Sequence, residues 1–153
     1  MNRSRGFSLM ELLMVLGILA IVSMVSSTWL RHQLLHLRLN GATRTLISDL
    51  AAARRAAITQ GHEHRVVFLD GFRYAIVADT NGNGKADPDE EVQTRNLLDR
   101  YPGVTVHATN HPVFHSRGTA SHLATITVQN VAGSRKVTIG ITGRIALKES
   151  LRK

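Results

Sequence analysis

Residues 6–30 read GFSLMELLMVLGILAIVSMVSSTWL, and the nineteen residues from Leu12 to Leu30 contain no charged side chain. In a helix these nineteen residues extend ~28 Å, close to the ~30 Å hydrocarbon thickness of a bilayer. A buried core helix is the alternative, but it would show a polar face, whereas the polar residues of this run are three serines and one threonine. The run therefore predicts a helix that spans a membrane.

The residues just before this run carry a second signal. A secretory signal peptide has a shorter apolar core of ~7–15 residues and ends in a small-residue cleavage site, so the length of the run disfavours it. The stretch Gly6-Phe7-Ser8-Leu9-Met10-Glu11-Leu12-Leu13 resembles the prepilin cleavage and methylation motif, with a short basic leader containing Arg3 and Arg5 before it. The resemblance implies that a prepilin peptidase cuts between Gly6 and Phe7 and methylates the new N-terminus.

Glu11 is the acid of this motif. An ionised carboxylate within an apolar helix costs about 2.5–3.5 kcal/mol at the membrane centre, so Glu11 needs a cationic partner. Phe7 lies four residues earlier, on the same helical face. The α-amino group created at Phe7, in the same chain or in a neighbouring subunit, can neutralise the carboxylate. This pairing favours ordered addition of subunits through the N-terminal helix.

Charge alone does not orient the span, because arginines lie on both sides of it. The prepilin resemblance implies a cytoplasmic leader and a head on the outer, periplasmic face of the inner membrane. We expect four parts: a leader (1–6), a transmembrane assembly helix (7–30), an amphipathic helix (31–61) and a β-rich head (62–153). The net charge of +8 falls to +6 when the two leader arginines are removed, and the chain has no cysteine for a disulfide or thiolate site.

Beyond Leu30 the apolar residues recur at steps of three and four, as on one face of a helix, and Gly61 is placed to end that helix. Five arginines and one aspartate give residues 31–61 a net charge of +4. This basic face suits nucleic acid or lipid phosphates, or it is simply a solvated face. The apolar stripe consists of Leu35, Leu39, Ala42, Leu46, Leu50, Ala53 and Ala57.

From residue 64 onward the pattern is typical of β-strands. Asp70-Gly71 predicts a two-residue type I′ turn between the first two strands. One long N-terminal helix on a C-terminal antiparallel β head is an α+β, pilin-like fold, and residues 112–119 with 142–144 resemble the GspH/FimT branch of pilin-like proteins. Strands are predicted at 65–69, 72–78, 92–98, 104–108, 113–115, 124–129, 136–141 and 144–147.

The loop between the second and third strands reads DTNGNGKADPDE and fits the twelve-position spacing of a calcium loop. Five of the eleven acids of the chain lie between Asp79 and Glu91, a concentration that repels itself without a cation. The alternative is an Asn-Gly-rich surface turn, because the loop joins strands rather than helices. The hypothetical Ca²⁺ ligands are Asp79, Asn81, Asn83, the carbonyl of Lys85, Asp87 and Glu90.

Arg144 belongs to a Gly-Arg pair that resembles the C-terminal motif of DNA-uptake pilins in this branch. The resemblance implies a phosphate contact, although the second arginine of the motif is replaced by Ala146. Lys148, Arg152 and Lys153 follow and can supply further contacts to DNA phosphates. The alternative is an ordinary arginine at the end of a strand.

Other chemistry is poorly supported by the sequence. The eight histidines include His62 with His64 and the series His107, His111, His115 and His122, but no HExxH-type spacing accompanies them, which disfavours zinc. No nucleophile motif or phosphate loop is present, so we expect no catalysis.

The resemblance implies a structural subunit that initiates or caps a filament, with other pilins, a prepilin peptidase and an inner-membrane assembly platform as partners. A DNA receptor for uptake is the alternative function.

Overall fold

A computed structural model describes residues 8–85 and 87–148, without the side chains of residues 25–29, 31 and 32. Within these residues, one helix precedes nine strands. The elements are α1 (Leu9–Gln60), β1 (Glu63–Phe68), β2 (Arg73–Asp79), β3 (Val92–Asn96), β4 (Thr105–Ala108), β5 (Val113–Phe114), β6 (Ala120–Ser121), β7 (Thr125–Asn130), β8 (Gly133–Ile139) and β9 (Ile145–Lys148).

The chain divides into two compact units, the first ending at Leu34 and the second beginning at Leu35. Residues 35–60 of α1 belong to the second unit, the head, and their apolar stripe lies in its core. Leu39, Leu46 and Leu50 are buried as the periodicity predicted, whereas Leu35 is only half-buried. Gly61 ends the helix at a φ of 78°, with its N–H donating to the carbonyl of Ala57, which confirms the predicted end.

Two antiparallel sheets complete the head. The five-stranded sheet has the order β3-β2-β1-β5-β6 and the four-stranded sheet the order β4-β7-β8-β9. Both sheets contribute to the core, for example Val66 from β1, Phe114 from β5 and Val137 from β8. The predicted α+β fold, a long N-terminal helix with an antiparallel β head, is thereby confirmed. Strand β6 was missed in the sequence, because two residues are too few to show an alternating pattern.

The turn between β1 and β2 differs from the prediction. The hairpin itself is confirmed, but Phe68 pairs with Tyr74, so five residues separate the last paired positions. Gly71 does not adopt the positive φ that a type I′ turn requires. Instead, Asp70 Oδ1 accepts hydrogen bonds from the backbone N–H groups of Phe72 (2.8 Å) and Arg73 (2.7 Å). The hydrogen bond from Phe72 contributes most to lowering the pKa of Asp70, and hydrogen bonds from Arg73 lower it further.

Two tyrosines connect the helix to the rest of the head. The hydroxyl of Tyr74, a fully buried β2 residue, donates a 2.6 Å hydrogen bond to Oδ2 of Asp49 on α1. Burial, together with this carboxylate, raises the pKa of Tyr74. Tyr101 shares a 2.9 Å hydrogen bond with the hydroxyl of Thr45, and its ring packs where a Cβ on Gly41 would lie only 2.6 Å away.

Candidate functional site

The N-terminal part of α1 exposes a continuous run of large apolar side chains. Leu9 is 77 %, Leu16 54 % and Ile21 68 % exposed. Glu11 lies in the first helical turn among them, is exposed, and donates its backbone N–H to the carbonyl of Ser8 at 3.0 Å. An apolar surface of this length on a folded chain indicates contact with lipid or with other helices.

The processing residues Gly6 and Phe7 lie outside the described residues. Of the predicted transmembrane assembly helix, residues 7–30, the side chains of 25–29 are also outside the description. Among the residues that are described, no helix combines the length and the apolar character needed to cross a membrane. The assignment of Gly6, Phe7 and Glu11 to processing and assembly therefore stays a prediction.

The acidic loop after β2 is organised by its two terminal carboxylates. Asp79 is 1 % exposed, and its Oδ2 accepts a 2.8 Å hydrogen bond from the N–H of Gly84. Glu90 is 8 % exposed, and its two oxygens accept from the N–H groups of Thr80 (3.0 Å) and Asp87 (3.1 Å). The carboxylates at the two ends of the loop thus accept hydrogen bonds from backbone N–H groups within it.

The middle of the loop is held by side-chain amides. Nδ2 of Asn81 and Nδ2 of Asn83 donate to Oδ2 of Asp87 at 2.7 and 2.5 Å, and Oδ1 of Asn83 accepts from the N–H of Lys85. Within residues 8–85 and 87–148, no three acids or histidines are gathered closely enough to hold a metal ion. The Ca²⁺ site stays a prediction.

A basic groove forms where α1 meets the loop before β9. Arg54, Arg55 and Arg144 all line it. The Arg54 side chain donates from Nε to the carbonyl of Gly118 (2.8 Å) and from Nη2 to the carbonyl of Thr142 (3.1 Å). In the part of the chain that the structure describes, none of the three arginines forms an ion pair with an acid. The groove therefore carries uncompensated positive charge.

The other predicted DNA-binding residues are dispersed. Lys148 is exposed on β9, directly opposite Lys136 of β8. Arg152 and Lys153 lie outside the described residues. Sequence reasoning missed Arg54 and Arg55 as neighbours of Arg144, although their position on the basic face of the predicted helix was the available signal.

Two histidines stack at the start of β1, and a third contacts Glu63 of the same strand. The rings of His62 and His64 stack with centroids 4.9 Å apart, and Nδ1 of His115 lies 2.7 Å from Oε1 of Glu63. His64 is 4 % exposed, and burial lowers its pKa. The remaining three members of the predicted series, His107, His111 and His122, are exposed, and Nδ1 of His111 accepts a hydrogen bond from the N–H of Phe68.

Two family models match the chain. Residues 42–143, which include most of the helix of the head and strands β1 to β8, match the family described as type II transport protein GspH. Residues 1–27 match the prokaryotic N-terminal methylation motif. The first match covers well over half of the chain, and the second ends within the first half of α1. No curated protein sequence matches significantly.

Solved structures with the same fold come from two kinds of filament system. The type IV minor pilin FimU of Pseudomonas aeruginosa is 23 % identical, with a TM-score of 0.58 over 72 % of this chain and 88 % of that one. The minor pseudopilin EPSH of the Vibrio cholerae type II secretion system is 15 % identical, with a TM-score of 0.57 over 74 % of this chain and 96 % of that one. At these identities the likeness concerns the fold.

Proposed function

The chain belongs to the GspH family of pilin-like minor subunits, and on this premise we propose that it joins a type II secretion pseudopilus or a type IV pilus. It enters the filament through its N-terminal helix and is placed at the initiation or tip of the filament. Both systems stay open, because FimU is a type IV minor pilin and EPSH a type II minor pseudopilin. The partners are then other pilins of the same filament.

The observation that carries the proposal is the exposed apolar start of α1 with one acid in its first turn. Large side chains such as Leu9, Leu13 and Leu19 are each more than half exposed, so water is a poor environment for this segment. Lipid satisfies the apolar residues but penalises the carboxylate of Glu11. A neighbouring helix that brings a positive charge satisfies both.

The assembly step follows from this conflict. A prepilin peptidase cleaves after Gly6, and the chain stays in the inner membrane with its head in the periplasm. The assembly platform then moves it into the filament, where Glu11 pairs with the α-amino group of Phe7 from a neighbour and helix packing replaces lipid contact. The family match to the N-terminal methylation motif supports the cleavage at this junction.

Mass spectrometry of the chain isolated from cell membranes tests this function. We expect the N-terminus at Phe7, carrying a methyl group. Gly6→Val should leave the leader attached and keep the chain out of the filament fraction. Ser4→Val, which changes a leader residue away from the junction, serves as the matched control and should be cleaved normally. A native N-terminus at any other residue contradicts the proposal.

A second candidate function, DNA binding for uptake, is favoured by the convergence of Arg54, Arg55 and Arg144 on one groove. Gel shifts of the detergent-solubilised chain with duplex DNA across a salt series test it, because phosphate contacts weaken steeply with salt. Arg144→Gln should lower the salt slope by about 1, while Arg100→Gln, an exposed arginine of the head away from the groove, should not. Absence of salt-dependent binding excludes this role.

A further inference from the structure

The side chain of Asp79 has one buried carboxylate oxygen that accepts no hydrogen bond. The side chain lies at the end of β2 and is 1 % exposed. Its Oδ2 is occupied by the N–H of Gly84, but Oδ1 is buried and has no hydrogen-bond partner. Among the described residues, the other buried side-chain atoms in this state are two histidine nitrogens, so Asp79 Oδ1 is the one buried carboxylate oxygen left without a partner. Burial of such an atom is unfavourable unless a hydrogen-bond donor or a cation reaches it.

The loop that follows Asp79 contains the matching oxygen donors. Asn81 and Asn83 each offer an amide oxygen, Lys85 offers a backbone carbonyl, and Asp87 and Glu90 offer carboxylates. Their positions at three, five, seven, nine and twelve after Asp79 at position one are those of a calcium loop, with Gly84 at position six. Gly84 adopts a φ of 76°, a value that favours glycine.

We propose that the loop from Asp79 to Glu90 binds one calcium ion, with Asp79 Oδ1 as its buried ligand. Calcium accepts six to eight hard oxygen ligands in flexible geometry, whereas magnesium requires a strict octahedron of short bonds, so a mixed set of amide, carbonyl and carboxylate oxygens favours calcium. Two asparagines among the ligands lower the charge of the set, and we expect a dissociation constant of about 10⁻⁴ to 10⁻³ M, as in extracellular modules.

Neighbouring side chains contact the acids of the loop. The amides of Asn81 and Asn83 donate to Asp87, and Nη2 of Arg65 lies 3.8 Å from Asp79 Oδ2. The described acids are not gathered tightly enough to hold a metal in this arrangement, so binding requires the loop to close and the two amides to turn their oxygens inward. Arg65 then competes with calcium for the same carboxylate.

Isothermal titration calorimetry with calcium chloride on the full-length chain in detergent micelles tests the proposal, alongside thermal unfolding with and without calcium. We expect one binding event and a higher unfolding midpoint. Asp87→Asn should weaken binding roughly tenfold or more, because it replaces a charged ligand by a neutral one. Asp89→Asn removes the same charge from the same loop at position eleven, which supplies no ligand, and should change the affinity little.

A substitution that removes the competing positive charge provides a second test of the calcium site. Arg65→Gln removes the competing cation and should tighten calcium binding several-fold. Absence of both binding heat and a thermal shift overturns the proposal, and so does an equal loss in Asp87→Asn and Asp89→Asn, which would indicate diffuse charge attraction. If Asp79→Asn does not fold, the half-buried Asp87 and the exposed Asp89 still provide the comparison. The site does not depend on filament assembly, so failure of one proposal leaves the other standing.

Discussion

The Nε of Arg54 donates a 2.8 Å hydrogen bond to the carbonyl oxygen of Gly118, joining the helix of the head to the loop before β6. The same guanidinium reaches the carbonyl of Thr142, so one side chain bridges two loops that lie 64 and 88 residues away in the sequence. Gly143 packs against both Gly118 and Arg54, with no space for a Cβ. This contact sets the position of the backbone that carries Arg144.

Gly143→Ala should therefore destabilise the head strongly. The residue has a φ of 70°, and a Cβ would collide with the carbonyl of Gly118 and lie 2.6 Å from Arg54 Nε. We expect a loss of about 2–4 kcal/mol in the free energy of unfolding, measured by urea denaturation.

Gly61→Ala is the matched control for that change. Gly61 has a similar φ of 78°, but nothing lies within 4 Å of the added Cβ. We expect a loss of about 1 kcal/mol from the backbone conformation alone. Equal losses in the two variants would contradict the close packing at Gly143.

Removing the hydroxyl groups of the two tyrosines that contact the helix should lower the free energy of unfolding by unequal amounts. Tyr74→Phe removes a buried hydrogen bond to the carboxylate of Asp49 and should cost about 1.5–3 kcal/mol. Tyr101→Phe removes the hydrogen bond between the neutral hydroxyl groups of Tyr101 and Thr45, and should cost about 0.5–1.5 kcal/mol. Chemical unfolding of both variants measures the difference, and a larger cost for Tyr101→Phe would be inconsistent with the geometry.

Acidification should weaken the head through His64. Burial lowers the pKa of this imidazole below 6.5, so the unfolded chain binds a proton at a higher pH than the folded chain does. Stability then falls as the pH drops below about 6.5 and continues to fall until the folded-state pKa is passed. A backbone interaction with His62 and the charge of Glu91 favour protonation of His64, whereas the charge of the His62 ring opposes it.

Urea unfolding at about pH 7.5 and about pH 5.5 measures this dependence. We expect His64→Gln to reduce the loss of stability on acidification relative to the unchanged chain. His107→Gln, at an exposed position of β4, should leave the loss unchanged. An identical loss in the unchanged chain and in His64→Gln would show that this histidine does not contribute.

Much of the fold could be predicted because it depends on local periodicity. The spacing of Leu39, Leu46 and Leu50 predicts the buried face of the helix, and Gly61 predicts its end, since both signals are contained in a few consecutive turns. The hairpin of β1 and β2 was predicted as well. Its turn type was not, because the Asp70 carboxylate binds two backbone amides and stabilises a wider loop.

The candidate sites were harder to predict from the sequence than the fold, because they depend on contacts between residues far apart in the chain. The leader motif and Glu11 are read directly from consecutive residues. The basic groove is not, because Arg54 and Arg144 lie 90 positions apart in the sequence and meet only in the folded head. The loop spacing predicted which oxygens belong together, but the buried, unpartnered Oδ1 of Asp79 is a property of the folded chain.

Incorporation of Glu11 variants into filaments tests the central claim most directly. The fraction of the chain in purified filaments is compared with the fraction in the membrane for Glu11→Gln and Glu11→Asp. We expect Glu11→Gln to insert into the membrane normally, since it removes a charge, but to enter filaments about tenfold less or worse, while Glu11→Asp retains most incorporation. Wild-type incorporation of Glu11→Gln would contradict assembly through this carboxylate.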